Sequence, residues 1–119
     1  MNDPAVMDAD LVTGGRFARI ETTGRSSSRP RAATVGFVEA ADGSLLVAAG
    51  SPLTAWALNL LAEPACRVVI GERRFDAVAE PLDRDEHILA IRALILRYGT
   101  PAESLGRGPS FRLRRVVSA

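Results

Sequence analysis

The chain has 119 residues, of which 47% are hydrophobic, and a formal net charge of +1. This length and composition predict a single globular domain with its own core and exclude a globally disordered chain. The near balance of acidic and basic residues excludes the broad positive surface of a nucleic-acid-binding protein.

Cysteine usage and hydropathy bear on the compartment. Cys66 is the only cysteine, which excludes an internal disulfide, and its apolar neighbours predict a buried thiol in a reducing compartment. The sequence contains no apolar run of membrane-spanning length and no signal-peptide pattern, so we expect a cytoplasmic protein without a membrane partner. Residues 1–15 are small and polar and predict a flexible arm, followed by one domain over residues 16–119.

The first half of the domain alternates strands and turns. Apolar alternation predicts a half-buried strand over residues 16–22 and a second strand over residues 33–40. The Asp-Gly pair at 42–43 predicts a hairpin. It leads into residues 44–49, an apolar run typical of a central strand that is covered on both faces.

A short helix is predicted next, over residues 53–62, with Trp56, Leu60 and Leu53 on one side and Pro64 after its end. Two further strands are predicted over residues 66–70 and 73–80, the second with alternating apolar positions.

The C-terminal part predicts one long helix and a last strand. Asp83 and Glu86 have the spacing of a capping box, and Ile88, Ile91, Ile95 and Tyr98 then recur at helical spacing. Residues 100–109 are rich in Gly and Pro and predict a loop, and residues 111–117 predict a strand.

This order of elements predicts an α+β fold that is mainly β. Neighbouring strands are joined by tight turns, and no regular alternation of strand and helix occurs. We therefore expect a sheet of about six mostly antiparallel strands that closes toward a barrel, with two helices at its ends.

The turn after the first strand, residues 22–31, carries three arginines and three serines. Arginine offers forked N–H donors that suit phosphate or carboxylate, and hydroxyl and backbone N–H groups can complete an anion site. Gly24 is expected to supply a positive φ, and Pro30 to keep Ser28 and Arg29 extended. Local composition alone favours a hairpin loop whose arginines face water, and the motifs that follow it in the chain favour the anion site.

Three motifs in register resemble the deazaflavin-dependent nitroreductase family of the split β-barrel flavin and deazaflavin oxidoreductases. They are Thr-Thr-Gly-Arg-Ser-Ser-Ser-Arg-Pro-Arg at 22–31, Leu-Val-Ala-Ala at 46–49, and Trp-Ala-Leu-Asn-Leu-Leu-Ala-Glu-Pro at 56–64. The likeness extends over residues 17–117. It implies a split β-barrel that binds coenzyme F420, an 8-hydroxy-5-deazaflavin.

The resemblance also implies which residues contact the cofactor. The phosphate and polar tail are expected at Arg25, Ser26, Ser27 and Arg31, and the ring at Ala32, Ala33, Thr34, Val35 and Gly36. The reactive edge is expected at the backbone of Ala48, Ala49, Gly50 and Ser51, and the closing segment at Ala55, Trp56 and Asn59.

For three residues a structural role competes with a role in the site. Trp56 would also suit the core side of its helix, and Asn59 would suit a hydrogen bond to backbone. Tyr98, the one candidate catalytic residue, could point its hydroxyl into the pocket or pack with the isoleucines of its helix. No residue spacing indicates a metal site, and His87 is expected to be a solvated helix residue.

The chain departs from the family pattern mainly at the ring end. Ser28 replaces a usual glycine in the loop, Gly36 replaces a tyrosine, Gly50 replaces a serine, and residues 51–54 are shortened. The ring end is thus expected to be wider and poor in hydroxyl donors. Reduction of a bulky nitro compound is therefore not expected to carry over.

The resulting expectation is an F420-dependent oxidoreductase that transfers a hydride to an activated C=C bond, quinone or imine of a small metabolite. One alternative keeps the barrel but uses FMN, whose phosphate the same loop could bind. Another is a non-redox cyclase, isomerase or small-molecule-binding protein, because fold does not fix function. A homodimer is left open.

Overall fold

The computed structural model describes residues 12–117, except for the side chains at positions 101 and 103. Most of the expected N-terminal arm, residues 1–11, therefore lies outside the described residues. No helix in the described part of the chain is long and apolar enough to cross a membrane.

From residue 18 onward, strands and helices follow one another with short connections. They are β1 (Ala18–Thr23), β2 (Pro30–Val35), β3 (Val38–Glu39), β4 (Leu45–Ala48), α1 (Ala55–Ala62), β5 (Ala65–Ile70), β6 (Arg73–Pro81), α2 (Arg84–Tyr98), a 3-10 helix (Thr100–Arg107) and β7 (Ser110–Arg115).

The strands form one antiparallel sheet in the order β2-β1-β5-β6-β7-β4-β3. Its two edge strands, β2 and β3, are consecutive in the chain and are separated only by Gly36 and Phe37. Because two residues span only about 10 Å, the sheet must curl until its edges nearly meet. The expected split barrel of the α+β class is confirmed, with seven strands.

The barrel is filled by apolar side chains that alternate along the strands. Ala18, Ile20 and Thr22 of β1 are buried, as their spacing predicts. They meet a core whose largest fully buried members include Phe111 and Leu113 of β7. Burial of such side chains contributes about 1.5–3 kcal/mol each.

The predicted strand over residues 33–40 is in fact two strands, β2 and β3. The break falls at Gly36 and Phe37, where the Tyr98 hydroxyl accepts a hydrogen bond from the Phe37 N–H at 2.9 Å. The Tyr98 side chain of α2 thus accepts the backbone hydrogen bond that a neighbouring strand would otherwise accept, and the β-ladder is interrupted at this point.

Helix α2 begins with the predicted capping box of Asp83 and Glu86. Three members of the predicted apolar stripe, Ile91, Ile95 and Tyr98, pack against a core cluster, which confirms most of the predicted inward face. Ile88 is the exception and is 42% exposed, whereas Ala90 and Leu94, which the spacing did not indicate, are fully buried.

Two further predictions were wrong. Leu53 is 81% exposed and lies before α1, so it does not share the buried side of that helix. The expected loop over residues 100–109 contains the 3-10 helix. Gly99, at φ 92°, caps the end of α2 and the start of the 3-10 helix, so the second helix follows the first directly. Ala102 of this helix packs with Leu94 in a second core cluster.

His87 is half-buried rather than solvated and holds the 3-10 helix in place. Its Nδ1 lies 2.6 Å from Ser110 Oγ, and its Nε2 lies 3.2 Å from the Gly106 carbonyl oxygen. The histidine thereby joins α2, the 3-10 helix and β7.

Candidate functional site

Two adjacent cavities open along strand β2. The loop cavity, about 570 Å³, is lined by Thr22, Gly24, Arg25, Ser26, Ser27, Arg31, Ala32, Ala33, Thr54, Ala55, Trp56 and Asn59. The aromatic cavity, about 440 Å³, is lined by Arg16, Phe17, Thr34, Val35, Gly36, Ala48, Gly50, Trp56, Tyr98, Ala102, Ser104 and Leu105.

Trp56 lines both cavities, so they meet at its indole. The side chain is half-buried and packs on Phe111 of β7, with the ring centroids 6.1 Å apart. Trp56 therefore has both of the roles that the sequence left open, as a core residue and as part of a cavity wall. Strand β2 runs past it, with residues 31–33 lining the loop cavity and residues 34–35 the aromatic cavity.

The arginine-serine loop, residues 24–29, is fastened to α1 by Asn59. The Asn59 Oδ1 accepts hydrogen bonds from the Arg25 backbone N–H at 3.3 Å and from Arg25 Nη1 at 2.8 Å. Its Nδ2 donates to Thr22 Oγ1 at 3.1 Å. Asn59 is 4% exposed, and leaving its polar groups unpaired in that position would cost about 1–3 kcal/mol. The helix thus fixes the loop before any ligand binds.

The loop is tightly wound upon itself. The Gly24 N–H donates to the Arg29 carbonyl at 2.8 Å, and the Ser28 N–H donates to the Gly24 carbonyl at 2.8 Å. A Cβ at Gly24 would stand 2.7 Å from Ser27 Oγ and 3.1 Å from the Arg29 carbonyl oxygen, so the close approach requires glycine.

The residue with a positive φ in this loop is Ser28, at 58°, and not Gly24 as expected. Ser28 is also not extended, although Pro30 follows two residues later. A left-handed conformation is unfavourable for serine, whereas glycine adopts it without this steric cost.

The donor set of the loop cavity fits a phosphate group. The Nη1 of Arg25 binds Asn59 and the Ala55 carbonyl, which leaves its Nε and Nη2 hydrogens for a ligand. Ser27 Oγ accepts the Arg29 N–H at 3.2 Å, so its own O–H remains a donor. Among the side chains that the structure describes, no carboxylate pairs with Arg25 or Arg31. The cavity is thus a cationic, hydroxyl-bearing site beside an apolar wall.

The aromatic cavity differs from the expectation at Gly36. A Cβ at Gly36 would lie 2.9 Å from Cε2 of Tyr98, so the Tyr98 ring occupies the space that the missing tyrosine side chain would need. The predicted widening at this position is therefore wrong. Gly50 has no atom within 4 Å of such a Cβ, and the cavity is open there.

The hydroxyl of Tyr98 is held by backbone groups and by a neighbouring arginine. It accepts hydrogen bonds from Phe37 N and from Arg97 Nε, both at 2.9 Å, and donates to the Arg16 carbonyl at 2.7 Å. These bonds favour a positioning role for Tyr98, with its ring as the wall of the cavity.

Nearly all of the expected cofactor contacts line one cavity or the other. The exceptions are Ala49, which is buried and donates its N–H to the Pro109 carbonyl at 2.9 Å, and Ser51. Their segment is packed against Gly108, where a Cβ would stand 2.6 Å from the carbonyl oxygens of Ala49 and Ser51. The Gly-Pro pair at 108–109 was the sequence signal for this contact.

Sequence reasoning missed a further set of lining residues, which come from distant parts of the chain. They are Arg16, Phe17, Thr54, Ala102, Ser104 and Leu105. Among the described residues, neither lining contains His, Cys or Met. No group of three or more His, Cys, Asp or Glu in the described part of the chain could hold a metal ion.

Comparison with curated protein sequences finds no match. Among solved structures, HutZ, the heme storage protein from Vibrio cholerae, is similar at 20% identity and a TM-score of 0.73, over 99% of this chain and 93% of HutZ. An F420-H2 dependent reductase, FDR-A, is similar at 22% identity and a TM-score of 0.69, over 83% of this chain and 94% of that one. A structure described as a domain-swapped dimer is similar at 21% identity and a TM-score of 0.70, over 92% of this chain and 96% of that one. These likenesses show a shared fold.

The family comparison is more specific. A model described as F420H(2)-dependent quinone reductase matches residues 5–99, which include the arginine-serine loop, β2 and Trp56. The expected membership of a deazaflavin-dependent family is confirmed. The chain belongs to the F420H2-dependent quinone reductase family.

Proposed function

We propose that this protein is an F420-dependent reductase that passes a hydride to a quinone or to another activated C=C or C=N bond of a small metabolite. The observation that carries the proposal is the pair of cavities that meet at Trp56. The loop cavity carries Arg25, Arg31 and the serine hydroxyls, and the aromatic cavity has the flat rings of Phe17, Trp56 and Tyr98 in its wall. A ligand with an anionic tail and a flat ring would find a matching environment for each part.

In this proposal the loop cavity holds the phosphate and tail of F420. Arg25, Arg31, Ser26 and Ser27 supply the donors, and Ala32 and Ala33 provide an apolar surface leading toward Trp56. The Asn59 bonds hold Arg25 in position in advance, which lowers the entropic cost of binding.

When bound, the reduced deazaflavin supplies a hydride and a proton, so that a quinone becomes a hydroquinone and the cofactor becomes oxidised. The residues of this chain orient the acceptor and exclude water from it. Phe17, Trp56, Tyr98 and Leu105 give the aromatic cavity its flat apolar walls. Such walls favour near contact between two planar groups, which is the main requirement of the reaction.

The test combines binding and turnover. Purified protein is titrated with oxidised F420 and, separately, with FMN, and binding is followed by quenching of the fluorescence of Trp56, the only tryptophan. Oxidation of reduced F420 is then followed by absorbance with a panel of quinones, enones and nitro compounds. We expect binding of F420 and brisk turnover of quinones.

Other outcomes would separate the alternatives. Tighter binding of FMN than of F420 would favour a flavin reductase. Binding without oxidation by any acceptor would favour a non-redox role. Haem binding is tested in the same way. The one candidate haem ligand among the described lining residues is Tyr98, whose hydroxyl is already hydrogen-bonded to the Phe37 N–H and the Arg16 carbonyl.

We also propose that the protein forms a homodimer, because a structure of the same fold is described as a domain-swapped dimer. Light scattering after size-exclusion chromatography measures the mass directly. A mass equal to that of one chain would overturn this proposal.

A further inference from the structure

Two arginines flank the ring of Tyr98 at the edge of the aromatic cavity. The guanidinium carbons of Arg16 and Arg97 each lie 5.3 Å from the centre of that ring. They can therefore be no farther apart than twice this distance. Arg97 also stacks on Phe37 at 4.6 Å, which leaves Arg16 as the arginine that lines the cavity.

These two positive charges have no acidic partner in the part of the chain that the structure describes. Neither arginine forms an ion pair with any of the carboxylates whose side chains the structure describes. Instead, Arg16 Nη2 donates to the Arg97 carbonyl at 3.3 Å, and Arg97 Nη2 donates to the Arg16 carbonyl at 3.4 Å. The two guanidinium groups thus place positive charge at one edge of the aromatic cavity, which favours the binding of an anion there.

Arg16 is exposed and preorganised for such an anion. Stacking on Tyr98 and the bond to Arg97 fix its plane, and only one of its five N–H donors is used in the described structure. The remaining donors suit the two oxygens of a carboxylate. The rest of the lining is mostly apolar, so this charge is available at one side of an otherwise hydrophobic site.

We propose that Arg16 is a specificity-determining residue that selects acceptors carrying an anionic substituent such as a carboxylate. This inference rests on the proposed function, since it places the acceptor in the aromatic cavity. The conjugated part of the acceptor lies among Phe17, Trp56 and Tyr98, and its carboxylate lies at Arg16. The carboxylate stays ionised and takes no part in the redox step.

The test uses two quinones that differ only in charge. One is menadione carrying a propionate side chain, and the other is the methyl ester of the same molecule. Their affinities are measured by quenching of Trp56 fluorescence with oxidised F420 present, and their turnover by oxidation of reduced F420. The acid should bind about three- to tenfold more tightly than the ester, in the range of a partly exposed charged contact.

The variants separate the site from general electrostatics. Arg16→Gln should bring the ratio of acid to ester close to one, and Arg16→Lys should retain part of the preference. Arg92→Gln changes the net charge equally, and Arg92 is exposed on α2 outside both linings, so the ratio should stay at its wild-type value. If Arg16→Gln does not fold, the salt dependence of binding by the wild type serves as the test instead. Raising the salt concentration to about 0.5 M should weaken binding of the acid but not binding of the ester.

Failure of this inference is distinguishable from failure of the proposed function. Reduction of both quinones with no preference for the acid, or with a preference that Arg16→Gln retains, overturns the inference and leaves the reductase in place. Arg16-dependent binding of the acid without reduction of either quinone supports the anion site and overturns the reductase.

Discussion

The ring of Tyr98 lies directly against the α-carbon of Gly36, so close that a Cβ there would be 2.9 Å from Cε2 of the tyrosine. The two residues are separated by 62 positions in the sequence. One aromatic side chain from α2 thus fills the space that a side chain at position 36 would occupy. This contact, together with the hydroxyl bonds of Tyr98, shapes the aromatic cavity.

The first prediction uses this contact and a matched pair of glycines. Gly36→Ala should displace the Tyr98 ring and destabilise the fold by about 1–3 kcal/mol, the usual range for overpacking. Gly50→Ala should have little effect on the fold, because a Cβ there meets no atom within 4 Å. Urea denaturation of the two variants measures the difference. Equal stability of both would show that the Tyr98 ring moves aside freely.

The second prediction concerns the anion site. Arg31→Ala should weaken binding of F420 by about 1.5–3 kcal/mol, because a hydrogen bond to a charged group is lost. Salt should weaken binding by the wild type more than by the variant. Isothermal titration calorimetry gives both values, and Arg92→Ala is the control. If Arg31→Ala binds F420 as tightly as the wild type, the phosphate is held elsewhere.

A third prediction concerns Ser28, whose φ of 58° is left-handed. Ser28→Gly should remove this strain, partly offset by the greater freedom of glycine in the unfolded chain, and should stabilise the protein by up to about 1 kcal/mol. Ser28→Ala keeps the strain and should give no such gain. Thermal unfolding of the two variants provides the comparison. A lower melting temperature for Ser28→Gly would contradict this explanation.

The fourth prediction concerns Cys66. Burial, with a smaller contribution from the Asp76 carboxylate, raises the pKa of its thiol to about 11. In the unfolded chain a thiol titrates near 8.5. Because the folded pKa is the higher one, the stabilising contribution is complete below about pH 8.5 and is lost as pH rises toward 11.

Two measurements test Cys66. A thiol reagent at neutral pH should label the native protein slowly and the denatured protein fast. The free energy of unfolding should fall across this alkaline range in the wild type and less steeply in Cys66→Ala. Fast labelling of the native protein would show that the thiol is accessible and ionised.

Local patterns predicted much of this fold. Alternation along β1, the Asp-Gly turn before β4 and the capping box of α2 are signals carried by adjacent residues, and all three were confirmed. The motif order also indicated the barrel and the deazaflavin-dependent family.

The features of the fold and the site that the sequence did not predict depend on contacts between segments that are distant in the chain. The break between β2 and β3 falls where Tyr98 bonds to Phe37, and the full burial of Ala90 on α2 lies outside the isoleucine stripe. The place of Arg16 beside Tyr98 depends on the closure of the whole sheet. No spacing rule links residues that lie so far apart in the chain.

The proposed reductase activity is tested by the rate of oxidation of reduced F420 by menadione in the presence of the protein. We expect turnover that saturates in both reactants and that requires a higher cofactor concentration in Arg31→Ala. Nitroaromatic compounds should react far more slowly than menadione. If menadione and every other acceptor of the panel give no oxidation above the rate without protein, the protein is not an F420-dependent reductase.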